Sequence, residues 1–251
     1  MYHRSKKGIV SAFFKKQFYI AFINIFRYFP RPLEVFLEYL FRFGSYPREI
    51  LVKTPIGKQK ATLYSSDDMI TLVECFGKLD YRASKHVSCV VDFGSNIGIS
   101  ALYFLTRNAQ VKVYLYEPLP KNIERLKGNL QGFEDRYELD SVAVGLENGT
   151  SQFGCETTGR YGGLNKGEME SQIEVQVKKA NEIVQDILNK NETIDILKID
   201  IEGLEEDVIN NLTPQLLKKI DRIYAETETE FQGDLPGFKK EQYGAIARFF
   251  K

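Results

Sequence analysis

The 251-residue chain is 43% hydrophobic and 27% charged, ordinary globular proportions that support a sizeable buried core. Lys and Arg equal Asp and Glu at 34 each, so the whole molecule is no electrostatic trap for nucleic acid, and no nucleic-acid partner is expected. Three widely spaced cysteines (Cys75, Cys89, Cys155) exclude a disulfide framework and a zinc cluster and point to a reducing cytosol, with Cys89 as core filler.

In chain order, residues 1–48 carry nine Lys/Arg against Glu34 and Glu38, a net of +7 that the remainder balances at −7. Residues 1–46 are helical in pattern and crowded with aromatics. Phe18, Phe22, Ile25, Phe26 and Phe29 share one helix face. Pro30 and Pro32 break that helix, a second runs from Leu33 to about Phe43, and Gly44, Ser45 and Pro47 mark a loop. The longest charge-free apolar stretch, Phe18 to Phe26, is far shorter than the roughly 20 residues a spanning helix needs. No small-residue cleavage site follows an apolar run, so no secretory signal is expected. Residues 49–53 and 59–64 read as a hairpin, and a helix from Asp68 to about Leu79 should be capped by Ser66 or Asp67.

From Val87 the pattern alternates. Strands are expected at 89–93, 111–117, 139–145, 194–200 and 220–226, with helices at 97–107, 121–130, 181–189 and 205–212. A two-stranded excursion, 151–154 and 173–177, encloses a Gly-rich loop. This order predicts a doubly wound α/β fold with a mostly parallel sheet. The chain divides into 1–47, a basic aromatic helical extension; 48–86, a hairpin and helix; and 87–251, the domain that carries the chemistry.

The first chemical signal is Val90 to Gly98, a strand, a glycine turn and a helix start at the edge where open α/β sheets bind ligands. Gly94 permits close approach of a ligand, and Gly98 lets the following helix pack on the strand. Free N–H groups at that helix start favour an anionic group. An acid precedes the first glycine, in Asp92-x-Gly94-x-Asn96-x-Gly98, which would repel a pyrophosphate but suits a cationic ammonium or sulfonium. Glu117 ends the next strand, placed to accept hydrogen bonds from both hydroxyls of a ribose.

The second signal is 196–203, where Asp200 and Glu202 emerge from a buried strand at the same edge. Carboxylates there are costly to desolvate unless they bind something. Asp200 positions an acceptor or takes its proton; Glu202 holds substrate or, alternatively, caps the helix beginning near Leu204. His3 and His86 lie in no motif, which leaves Asp200 as the candidate base. No metal site is expected, a weak Mg²⁺ site at Asp200 and Glu202 being the alternative. In the loop 156–163, Arg160 and Tyr161 are placed to bind a sugar, or else form a hairpin tip.

Residues 90–104, 113–130 and especially 196–209 (ILKIDIEGLEEDVI) resemble the FkbM family of class I S-adenosyl-L-methionine-dependent methyltransferases. The likeness runs from about Asp68 to Thr227. It implies a Rossmann-like sheet of the class I methyltransferase type and a methyl donor held by Asp92, Gly94, Ser95, Asn96 and Gly98 at its methionine end and by Glu117 at the ribose. It further implies that Asp200 and Glu202 face the transfer site, and that Glu74 and Tyr81 close over the cofactor. The acceptors implied are hydroxyls on sugars, polysaccharides or natural-product scaffolds. A class I sheet usually ends in an antiparallel sixth and seventh strand, whereas residues 239–250 read as a helix, so these strands are expected to be missing or replaced.

Two rival functions stand beside this one. An NAD(P)-dependent oxidoreductase would show a thermal shift with NADH and none with S-adenosylhomocysteine. A degenerate methyltransferase fold serving as a binding module would bind cofactor without turnover. The basic aromatic segment 1–46 either packs on the molecule as a lid, forms a homodimer interface, or lies on an anionic membrane at the inner face of the bilayer.

Overall fold

A computed structural model describes residues 16–155, 162–164, 171–227 and 230–251. A seven-stranded sheet forms the centre, in the order β12-β13-β11-β10-β3-β4-β5. Its strands are β3 (Cys89–Phe93), β4 (Lys112–Tyr116), β5 (Tyr137–Asp140), β10 (Ile196–Ile199), β11 (Arg222–Glu226), β12 (Lys239–Tyr243) and β13 (Ile246–Phe250). β10 runs parallel to β3 and β11, and β3, β4 and β5 follow in parallel; β13 is antiparallel to both neighbours. Every residue of β3 and β10 is buried, as a strand covered on both faces requires.

Helices close the two faces: α4 (Ile99–Leu105), α5 (Pro120–Asn129), α6 (Ala180–Lys190), α7 (Glu205–Asn211) and the short α8 (Pro214–Leu217). One core gathers Val90, Leu102, Val113 and Leu126; the other gathers Val91, Val184, Leu197 and Ile223. Alternate residues of the same strands thus supply opposite cores, the period-2 rule of a strand at work.

Residues 239–250 are not helical: β12 and β13 form a hairpin with Tyr243 opposite Ile246 and Gly244 at φ +69° in the turn. Both late strands of the sheet are therefore present, and the ground for a degenerate fold disappears. The strand expected over 139–145 is two. β5 edges the central sheet, while β6 (Ala143–Gly145) joins a separate sheet with β7 (Gly149–Cys155), β8 (Gly162–Leu164) and β9 (Ser171–Lys179). The excursion is thus four-stranded. The helix after the hairpin β1 (Arg48–Thr54) and β2 (Gly57–Leu63) is capped by Ser65, not by Ser66 or Asp67. The Ser65 side chain accepts from Asp68 N–H, and Asp68 returns a bond to the Ser65 backbone.

That helix, α3 (Ser66–Val73), continues into a π-helical turn, Glu74–Lys78, closed by Leu79 in the left-handed region. Ahead of the hairpin stand α1 (Lys16–Tyr28) and α2 (Pro32–Phe41). α1 turns Ala21, Ile25 and Phe29 into the core, and Asn24 donates to the Gly77 carbonyl at 2.7 Å. The five residues read as one face are divided: Phe18, Ile25 and Phe29 are buried, while Phe22 and Phe26 stand exposed. Among the described residues no helix is long and apolar enough to cross a membrane.

Candidate functional site

At the C-terminal edge of the sheet a cleft holds about 1080 Å³ of empty space, its open mouth included. The turn after β3 forms its floor. A Cβ on Gly94 would stand 1.8 Å from the Asp200 carbonyl oxygen, and φ there is +79°. Only glycine lets the ends of β3 and β10 meet this closely. The N–H groups of Gly94 and Ser95 both donate to the Tyr116 carbonyl at 3.1 Å. Ser95 Oγ donates to the Asp92 carbonyl and accepts from Tyr116 N–H. The turn is stitched to β4 before any ligand arrives. Asn96 takes φ 46°, a left-handed conformation asparagine tolerates.

Asn96 N–H donates to Glu117 Oε2 at 2.9 Å. Glu117 is only 4% exposed, and its other oxygen accepts from Leu119 N–H at 3.0 Å and from Asn122 at 3.2 Å. Burial pushes its pKa up to about 7 against the pull of those donors. The anionic group expected beside the helix start is thus a side chain of the protein itself. An ionised carboxylate has about four lone-pair sites, so Glu117 keeps capacity for a further donor from the cleft.

Asp92 and Gly98, expected to touch a ligand, do not line the cleft. Asp92 is fully buried, 2.9 Å from Lys198 Nζ and 2.6 Å from Ser100 Oγ. Burial raises its pKa while Lys198 and Ser100 pull it down. With its charge met inside the protein, Asp92 has none to offer a cationic ligand directly. A Cβ on Gly98 would come within 3.0 Å of Leu126 Cγ, so this glycine lets α5 close on the turn.

Lys198, to which the sequence pattern assigns no role, joins the turn to the second carboxylate pair. It is 2% exposed, and its Nζ also lies 3.2 Å from Asp200 Oδ2 and 3.1 Å from the Gly94 carbonyl. Burial alone would lower its pKa; Asp92 and Asp200 outweigh burial and hold the ammonium above the ordinary lysine value. A lysine inside the apolar strand 196–199 was the available signal, since such a charge is buried only when paired.

Asp200, Glu202, Glu74, Tyr81 and Glu226 line the opposite end of the cleft. Glu202 sits at φ 63°, and the helix-start bonds considered for it belong to Glu205, which accepts from Ile201 and Gly203 N–H at 2.9 Å each. Glu74 rides on the π-helical turn and accepts from Lys78 at 3.0 Å. Glu226, likewise given no role by the sequence pattern, ends β11 as Glu117 follows β4. The neighbouring Asp200 first, then burial and Glu74, push its pKa up to about 9. Glu226 is exposed and lines the cleft, and Tyr81 Oη donates to its Oε2 at 3.3 Å. Burial, followed by Asp200 and Glu226, raises the Tyr81 pKa. Leu119, Val142, Ala143, Val144 and Phe153 give the cleft an apolar wall. Arg160 and Tyr161 lie outside the described residues.

A family model described as the methyltransferase FkbM domain matches residues 92–251, more than half of the chain. The chain is 26% identical over 190 residues to the AMB antimetabolite synthetase AmbE of Pseudomonas aeruginosa, covering 59% of this chain and 9% of that protein. It is 21% identical over 160 residues to Methyltransferase 1 of Beauveria bassiana, covering 55% of this chain and 64% of that protein. The chain thus spans less than two thirds of each of these two curated relatives. Among solved structures, a methyltransferase FkbM from Methylobacillus flagellatus KT aligns at TM-score 0.41 and 14% identity, over 68% of this chain and 44% of that one.

Proposed function

Because the chain belongs to the FkbM family of methyltransferases, we propose that it moves a methyl group from S-adenosyl-L-methionine to a hydroxyl oxygen on a sugar or natural-product acceptor. One observation carries the reading: Glu117 sits at the tip of β4, fixed by the Gly94–Asn96 turn, with its carboxylate facing the cleft. That geometry suits two adjacent ribose hydroxyls. The rest of the cleft fits the same donor. Leu119, Val142 and Phe153 offer an apolar slot for a flat base, and the Gly94–Asn96 turn borders the space left for the amino-acid end. When bound, the donor supplies an electrophilic methyl group on a sulfonium that loses its charge on transfer.

The chain's own residues align, desolvate and move a proton. Holding donor and acceptor in line is worth about 7–11 kcal/mol of the barrier. Asp200, steadied by Lys198 at 3.2 Å, takes the hydroxyl proton. Glu226 keeps its own proton near neutral pH and donates a hydrogen bond to the acceptor, while Glu202 holds a second hydroxyl. Titration calorimetry with S-adenosylhomocysteine and transfer of labelled methyl to hydroxylated glycans test the proposal. Asp200→Asn should keep product affinity within about twofold and lose about 10²–10⁴ in turnover. Near-normal turnover would remove Asp200 from this role, and no measurable heat with S-adenosylhomocysteine would sink the donor assignment.

A further inference from the structure

Among the described residues, the large hydrophobic side chains left exposed all fall between Tyr19 and Leu51. They are not scattered. On α1 the exposed row is Tyr19, Phe22, Ile23 and Phe26, spaced i, i+3, i+4, i+7. On α2 it is Leu33, Leu37 and Phe41, spaced i, i+4, i+8. Ile23 is 62% exposed and Leu33 64%, so apolar side chains stand where a surface helix normally carries charges. The rings of Phe22 and Phe36 meet edge to face with centroids 5.2 Å apart, which packs α1 against α2 beside the exposed rows. The opposite face of α1 is already spent on the core through Ala21, Ile25 and Phe29.

The charge beside this patch is net positive. α1 contains no acid. The two acids of α2, Glu34 and Glu38, are both taken by Arg48. Arg27 and Arg31 stand exposed at the α1–α2 junction, Arg31 3.7 Å from Glu34. Residues 16–48 hold five Lys/Arg against two Glu, a net of +3. Aromatic and aliphatic side chains beside outward basic residues match the bilayer interface, where apolar groups enter the acyl boundary and cations meet anionic headgroups.

We infer that the outward face of α1 and α2 docks the protein on an anionic membrane surface, with Tyr19, Ile23, Leu33 and Leu37 entering the interface and Arg27 and Arg31 at the headgroups. The net positive charge of residues 16–48 and the lack of any acid on α1 favour an anionic lipid surface over a second copy, which would bring the same positive charge against it. The inference stands apart from the chemistry proposed above, because vesicle binding requires no cofactor or acceptor.

The test is co-sedimentation of the full chain with phosphatidylcholine vesicles with and without about a quarter phosphatidylglycerol. Binding should be at least tenfold tighter to the anionic vesicles and should weaken as salt rises. Ile23→Glu/Leu37→Glu alters only exposed positions, so its thermal melt should match the parent while vesicle binding falls at least tenfold. Equal binding by the folded double variant overturns the inference, as does the absence of binding to anionic vesicles at low salt. A dimer that the double variant dissociates, without any change in vesicle binding, would instead assign the face to a second copy.

Discussion

Glu117 and Glu226 follow or end strands of one sheet, both face one cleft, and both hold protons to higher pH than a glutamate in water. Their reasons differ. At Glu117 burial does the work, and the donors around it are the backbone N–H groups of Asn96 and Leu119 together with the Asn122 side chain. At Glu226 the largest influence is another carboxylate, Asp200, and the surroundings are side chains from separate segments, Glu74 and Tyr81 among them. The first end is a fixed receptor written into a strand and its neighbouring turn. The second is an assembled electrostatic cluster whose members tune one another. Lys198 ties the two together, touching Asp92 beneath the turn and Asp200 at the cluster.

Breaking that tie should have the largest effect. Lys198→Met leaves Asp92 buried without its counter-charge, which costs about 3–5 kcal/mol. Urea unfolding would show this, and adding Asp92→Asn should restore part of the loss; equal stability of the Lys198→Met and parent proteins would break the view that one buried ammonium supports both ends.

Next in size is the receptor end. A diol donates to the ionised carboxylate of Glu117, so binding favours the charged form. Affinity for S-adenosylhomocysteine should therefore fall as pH drops through about 7, on the order of tenfold per unit below it. Glu117→Gln should lose about tenfold or more at pH near 8, where the parent is ionised, and much less near pH 6. Calorimetry across that range checks both limbs, and an unchanged pH profile in the variant would move the titration to another group.

The smallest effect belongs to Glu226. Since it carries its proton near neutral pH, Glu226→Gln should keep turnover within about threefold at pH 7. The difference should appear only as pH climbs towards 9, where the parent loses that proton and the variant has none to lose. A large drop at pH 7 would show that the carboxylate, not the acid, is the working form.

The parts of this protein set by local residues could be read in advance. Apolar runs at 89–93 and 196–199 had to be strands covered on both faces, and Gly94 had to be a turn, because side-chain period and backbone sterics act over a few residues. Glu117 followed from its place after the second strand. Pairing across long separations could not be read in this way. Residues 246–250 are apolar enough for a helix or a strand, and they become β13 only because β11 offers an unpaired edge that Ile246, Ala247 and Phe249 fill. The polar run 239–243 then suits the outer strand, where charges keep an edge from pairing further. Asp92 reads as a ligand contact along the chain, yet a lysine 106 positions away meets its charge. Spacing names which groups stand at the sheet's edge; which of them face the cleft and which neutralise one another depends on burial and distance, and those exist only once the strands lie side by side.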